Sequence, residues 1–135
     1  MRSAYRKELF RGKRVDNNEW VYGFLSKSRG NNHFLSLCID HEENGVMLSS
    51  IVEPETIGQY TGLCDKNGVK IFEGDIVRYN GEKHIVVFET RGGTGYFGIK
   101  IDHIETWGFC LSVPAKLMEV IGNIHDNPEL AEGLL

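Results

Sequence analysis

The chain has few of the residues that announce chemistry or an unusual compartment. Its three cysteines, Cys38, Cys64 and Cys110, are odd in number, widely spaced and without a Cys-x-x-Cys pair. That excludes a disulfide framework and a four-thiolate zinc site, and predicts reduced, buried thiols in a cytoplasmic protein. No apolar run approaches the roughly 18 residues of a membrane span, so no membrane role is expected. The charged N-terminus is followed by no apolar stretch of the roughly 7–15 residues that a secretory signal needs. Asn-x-Ser/Thr, Gly-x-Ser-x-Gly and the P-loop pattern are all missing. With them go a glycosylation site, a nucleophile elbow and a phosphate cradle.

What is present is ordinary globular material. Of 135 residues, 41% are hydrophobic and 25% charged, enough for a core without a metal or disulfide staple. The length suits one domain or two small, intimately packed ones. The net charge of −4 is uneven. Residues 1–14 carry Arg2, Arg6, Lys7, Arg11, Lys13 and Arg14 against Glu8, a net of +5, which leaves −9 for residues 15–135. Such a basic arm is either a surface for nucleic acid or a partner, or an amphipathic first strand with its basic stems on the wet face. The second reading is the favoured one.

Every apolar run is short and bounded by turn residues, with no sustained helical stripe before residue 126. Strands are expected over 19–25, 33–39 and 46–52, separated by a loop at 26–32 and an acidic turn at 40–45. Pro54 begins one helical turn ended by Gly58. Asp65-Lys66-Asn67-Gly68 reads as a turn in which the Asp side chain bonds the backbone two residues on and Gly takes a positive φ. Its arms are 59–64 and 69–72. After the corner at Glu73-Gly74-Asp75 come strands over 75–79 and 84–89, joined by the hairpin signal Asn80-Gly81. A glycine loop at 91–95 leads to strands over 96–101, 107–113 and 117–124. Asn127 caps a short last helix with Pro128 in its first turn. No internal repeat is visible.

Several constellations were weighed for chemistry. Gly93-Thr94-Gly95-Tyr96-Phe97-Gly98 matches the dinucleotide pattern, but Ile99-Lys100-Ile101 follows where a helix is required. Asp65 to Glu73 has calcium-loop elements at the wrong spacing. His33, Cys38 and His41 lie near Asp40 and Glu42, but alternate side chains on a strand diverge and no fourth ligand set completes them. Glu53/Glu55 and Glu73/Asp75 are spaced to share a face, as paired acid–base carboxylates do, but Pro54 and Gly74 between them point to turns with solvated acids. Glu73 and Asp75 with His84 are the one set that could converge. None is a positive signal for catalysis, and no cofactor or metal is expected.

Two features carry a likeness. The run Pro54-Glu-Thr-Ile-Gly-Gln-Tyr-Thr-Gly-Leu63, then Asp65-Lys-Asn-Gly68, then Ile71-Phe-Glu-Gly-Asp-Ile-Val77, resembles the YopX family of phage and prophage proteins. Trp20-Val-Tyr-Gly23 and Val120-Ile-Gly-Asn-Ile-His-Asp-Asn-Pro-Glu-Leu130 extend it over nearly the whole chain; residues 25–50 match no such pattern. The resemblance implies a mainly β protein with an SH3-type small barrel in its C-terminal part, and it brings no catalytic motif. The expected organisation is an N-terminal β-rich subdomain over 1–58, a barrel over 59–135, and a short C-terminal helix. The favoured function is a non-enzymatic phage accessory protein acting by self-association or by docking to a host protein. Tyr60, Tyr79, Tyr96 and Trp107 are its candidate surface aromatics. The alternative is a nucleic-acid-binding protein using the basic arm, against which residues 61–135 set seven basic and eleven acidic groups. An enzyme built on Glu73, Asp75 and His84 ranks last.

Overall fold

The structure, a computed structural model, describes residues 10–29, 35–101, 106–108 and 114–134. It is mainly β, with antiparallel sheets and one short helix. The chain divides into two compact units, Met1–Tyr60 and Thr61–Leu135.

In the first unit, β1 (Phe10–Lys13), β2 (Trp20–Arg29), β3 (Leu35–Glu43) and β4 (Val46–Ile51) form a meander. A 3-10 turn at Pro54–Thr56 then reverses the chain, and β5 (Gly58–Cys64) returns to pair with β1. This gives the order β4-β3-β2-β1-β5 within a six-stranded sheet whose last strand, β6 (Lys70–Phe72), follows β5. The proline sits at the first position of that turn, where its fixed φ and missing N–H cost nothing. Thr56 completes the reversal: its hydroxyl donates to the Glu53 carbonyl at 2.6 Å and accepts the Lys13 N–H at 2.8 Å. An isolated bridge between Arg14 and Val52 joins the far end of β1 to the chain leaving β4. The buried apolar side chains are few, chiefly Cys38, Ile39 and Val52.

The second unit repeats the scheme. β7 (Asp75–Tyr79), β8 (Glu82–Arg91), β9 (Thr94–Lys100) and β10 (Thr106–Gly108) form a meander; a 3-10 turn at Ala115–Leu117 follows, and β11 (Glu119–Asn123) returns to pair with β7. The order is β10-β9-β8-β7-β11. β5 runs past Tyr60 into this unit and is followed by the short β6 (Lys70–Phe72). The core gathers Ile71, Val77, Val86, Ile99, Ala115 and Met118, with Leu63, Tyr79 and Phe97 against it. No helix of the described residues is long and apolar enough to cross a membrane.

The shared strand order is an internal repeat that the sequence does not display, because it is a repeat of connections and not of residues. Neither sheet closes among the described residues, so the barrel expected for the second half is seen as an open five-stranded sheet. Other expectations shift. The loop expected at 26–32 is strand as far as Arg29, with the rest outside the described residues. The acidic turn at 40–45 shrinks to Asn44-Gly45, both at positive φ, because Asp40–Glu43 continue β3. The glycine loop at 91–95 is a two-residue turn, Gly92-Gly93, between paired strands. Leu117 lies in the 3-10 turn and not in the last strand, and residues 109–113 lie outside the described residues. Asn127 makes no side-chain cap on α1 (Pro128–Ala131); its Oδ1 accepts the Asn123 N–H at 3.1 Å and so clamps the end of β11.

Asp65 ties the second unit together. Its Oδ1 accepts the N–H groups of Asn67 (2.8 Å) and Val69 (2.9 Å), which close the turn. Its Oδ2 accepts the N–H of Val120, 55 residues away, at 2.9 Å. The Lys66 N–H bonds the Met118 carbonyl alongside. Burial alone pushes this carboxyl up, but the Val120, Val69 and Asn67 N–H groups and the Lys66 charge outweigh it, and its pKa lies below the usual 3.8. Since the folded value is depressed, the stabilisation is complete above the unfolded value and is lost as pH falls through the folded one. Two outcomes are expected from urea unfolding. Asp65→Asn puts an NH2 or a single oxygen where two acceptors are needed and costs about 1–3 kcal/mol at neutral pH. Its unfolding midpoint also falls less than the wild type's between neutral pH and about pH 3.

Close strand approach explains two glycines. A Cβ on Gly23 would stand 2.0 Å from the Asp40 carbonyl oxygen, and one on Gly98 would stand 2.2 Å from that of Trp107. Both neighbours are backbone and cannot swing away. Gly23→Ala and Gly98→Ala are each expected to destabilise by about 1–3 kcal/mol, the usual cost of overpacking, read from urea midpoints.

Candidate functional site

The exposed apolar surface of the molecule concentrates on β2, β3 and β4. Among the described residues thirteen large hydrophobic side chains are exposed, and eight of them belong to these three strands. Register sorts them by face, since paired residues point the same way and successive ones alternate. Tyr22, Phe24, Met47 and Ile51 share one face with Asp40 and Glu42, whereas Leu25, Leu35, Val46 and Leu48 share the other with Ile39 and His41. Met47 (61% exposed) and Val46 (57%) are the extreme cases. Full burial of a large apolar side chain stabilises by about 1.5–3 kcal/mol and each of these forgoes part of it, which is why clusters of this kind mark contact surfaces.

Polar groups at the surface are committed to one another. Asp40 accepts hydrogen bonds from Ser26 (2.8 Å) and from Ser49. A hollow of about 470 Å³ opens beside it, walled by Tyr22, Phe24, Glu42 and Met47. His41 and Ser50, both buried, share a hydrogen bond of 2.7 Å. Asp40 and His41 are successive strand residues on opposite faces, so no Ser–His–Asp relay is assembled there. Among the described residues no group of three or more His, Cys, Asp or Glu is placed to hold a metal ion; His33 lies outside them.

The sequence-predicted residues are scattered. Tyr60 is half-buried at the end of the first unit. Tyr79 packs against the second core. Tyr96 is half-buried, its hydroxyl 3.5 Å from the Thr106 carbonyl, and Trp107 is 40% exposed. Trp107 pairs with Ile99, so it faces away from Tyr96, three positions earlier on β9. These three do not form one patch. Of the basic arm, Arg2, Arg6 and Lys7 lie outside the described residues. Arg11 and Lys13 lie over the Trp20 ring at 4.7 and 5.5 Å. Arg14 is bonded to Asp16 at 2.8 Å, which raises the arginine's pKa and lowers the aspartate's. Elsewhere Asp75, buried, accepts the Phe72 N–H at 2.7 Å, and His84 Nδ1 sits 3.2 Å from the Lys100 carbonyl.

Five of the eight, Leu25, Leu35, Val46, Met47 and Leu48, fall in residues 25–50, the stretch without a recognised pattern. Its one sequence signal is Val46-Met47-Leu48, three apolar residues in a row where a half-buried strand alternates.

The strand order and the tandem 3-10 reversals define the class: a two-unit antiparallel β protein. The model of the YopX protein family matches residues 9–132, nearly the whole chain, and the chain belongs to that family. A solved structure, protein EF1440 from Enterococcus faecalis, is 26% identical; the match covers 90% of this chain and 96% of that one, with a TM-score of 0.46. No curated protein matches the chain.

A contact surface contributes little to the stability of the isolated fold. Val46→Ser and Met47→Ser are expected to change the unfolding free energy by no more than about 0.5 kcal/mol. Ile39→Ala, on the same strands but fully buried, is expected to cost about 2–5 kcal/mol. Urea titrations of the three variants check the contrast.

Proposed function

We propose that this chain is a non-enzymatic phage or prophage accessory protein of the bacterial cytoplasm that works through protein–protein contact, by self-association or by docking onto a host protein. The observation that carries the reading is the concentration of exposed apolar side chains on β2, β3 and β4. Family membership supports the phage setting. The order β10-β9-β8-β7-β11, with a 3-10 turn before the returning strand, supports an SH3-type barrel for the second unit, a scaffold that serves binding more often than chemistry. The acids and histidines weighed for catalysis are engaged in structural hydrogen bonds at Asp75 and His84.

The nucleic-acid reading has weaker support. Phosphate binding needs clustered, available positive charge, yet Arg11 and Lys13 lie over Trp20 and Arg14 is paired with Asp16.

The test is a pull-down from bacterial lysate with the full chain, run beside a solution mass measurement and a gel shift at low and high salt. Expected are a mass above 15.3 kDa or a captured protein that Phe24→Ser with Met47→Ser releases. Retardation of nucleic acid that collapses with salt, with neither of the other two, would replace this reading by the second.

A further inference from the structure

We infer that β4 is an interface strand that pairs antiparallel, about a two-fold axis at Leu48, with β4 of a second copy of this chain. The inference rests on the reading of the chain as a protein-contact module and names the partner and the surface.

β4 lies at the edge of its sheet, paired with β3 on one side. Among the described residues no strand pairs with its other side over residues 46–50. Proteins guard such edges with charge, proline, bulges or brevity. β4 has none of these. Its sequence, Val-Met-Leu-Ser-Ser-Ile, is uncharged and proline-free, and its six-residue register with β3 runs without a bulge. The edge of β4 is flat and mostly apolar over Val46–Ser50.

The occupant follows from symmetry and from what already holds the end of the strand. A two-fold axis perpendicular to a sheet keeps each face on its own side, so residues of one parity pair only with the same parity across it. The axis must therefore pass through a residue and not between two. Beyond Ser50 the outer edge is taken: the Ile51 carbonyl accepts the Val15 N–H at 3.0 Å, and Val52 bridges Arg14. An axis at Ser49 would set Val46 against the occupied Val52. An axis at Leu48 sets Val46 against Ser50, Met47 against Ser49 and Leu48 against itself, and uses every open position. The exposed Val46 and Leu48 of both copies then form one apolar stripe. Two chains of net charge −4 meet here through a strand that carries no charge, and the acidic Glu42-Glu43 ends lie at opposite ends of the pairing. Self-pairing of one uncharged strand needs no second recognition code.

Light scattering on the eluting full chain, and oxidative cross-linking, test this. The wild type is expected at an even multiple of 15.3 kDa. Leu48→Lys, which puts like charges on the axis, is expected to raise the dissociation constant about tenfold or more, with an unchanged circular dichroism spectrum. Leu48→Cys is expected to form a disulfide-linked dimer at a rate far above Leu117→Cys, a more exposed position in the second unit, because only at the axis do the two thiols meet. A monomer at every concentration overturns the inference, as does an assembly whose mass Leu48→Lys leaves unchanged, or equal cross-linking of the two cysteine variants. A monomer that still captures a host protein leaves the contact reading standing without this site. One that captures nothing removes both.

Discussion

The second unit depends on one buried carboxylate. Asp65 closes the turn before β6 with one oxygen and holds Val120, in the last strand, with the other. Three backbone N–H groups are thereby satisfied where water is scarce, and a link is made across 55 residues. The position is where the unit most needs a clamp. β11 joins β7 from the far end of the chain, and its register slips by one residue between Val120 and Gly122. A bulge weakens the ladder locally, and the Asp65 bond falls on its first residue. The surface ion pairs nearby, Lys66 and Arg78 with Glu119, are long and solvent-screened, and add little beside it.

The first unit reaches the same strand order with different parts. There the hydroxyl of Thr56 sits at the reversal, and the Arg14–Val52 bridge ties the ends. The order recurs because the same local instructions recur: tight turns put successive strands side by side, and a 3-10 turn sends the chain back to the first strand. Among the described residues the units differ most in their cores. The second buries six apolar side chains in one cluster, whereas the first keeps a small core and carries its apolar residues outward on β2, β3 and β4. That inequality is what supports placing the contact function in the first unit.

The polar side chains of the first unit also order its strands. The Asp40–Ser26–Ser49 set and the His41–Ser50 pair are internally satisfied and lie on opposite faces of the sheet. These bonds tie β3 to β2 and to β4.

Local chemistry was legible in the chain itself. The Asp65–Gly68 turn, the Asn80-Gly81 hairpin and the Pro54 turn follow from φ preferences and short-range hydrogen bonds, which act within a few residues. Asn44-Gly45 carried the same signal as Asn80-Gly81 and was obscured only by the acids before it. The family likeness was legible too, since the run from Pro54 to Val77 is long and ordered. What tertiary structure alone decided were partners far apart in sequence: that the second oxygen of Asp65 finds Val120, that Asn127 turns back to Asn123, and that β5 and β11 each return to the first strand of their own meander. It also decided which apolar residues stay outside. Alternation assigns a side chain to a face, but whether that face is covered depends on where neighbouring strands end, and no local pattern records that.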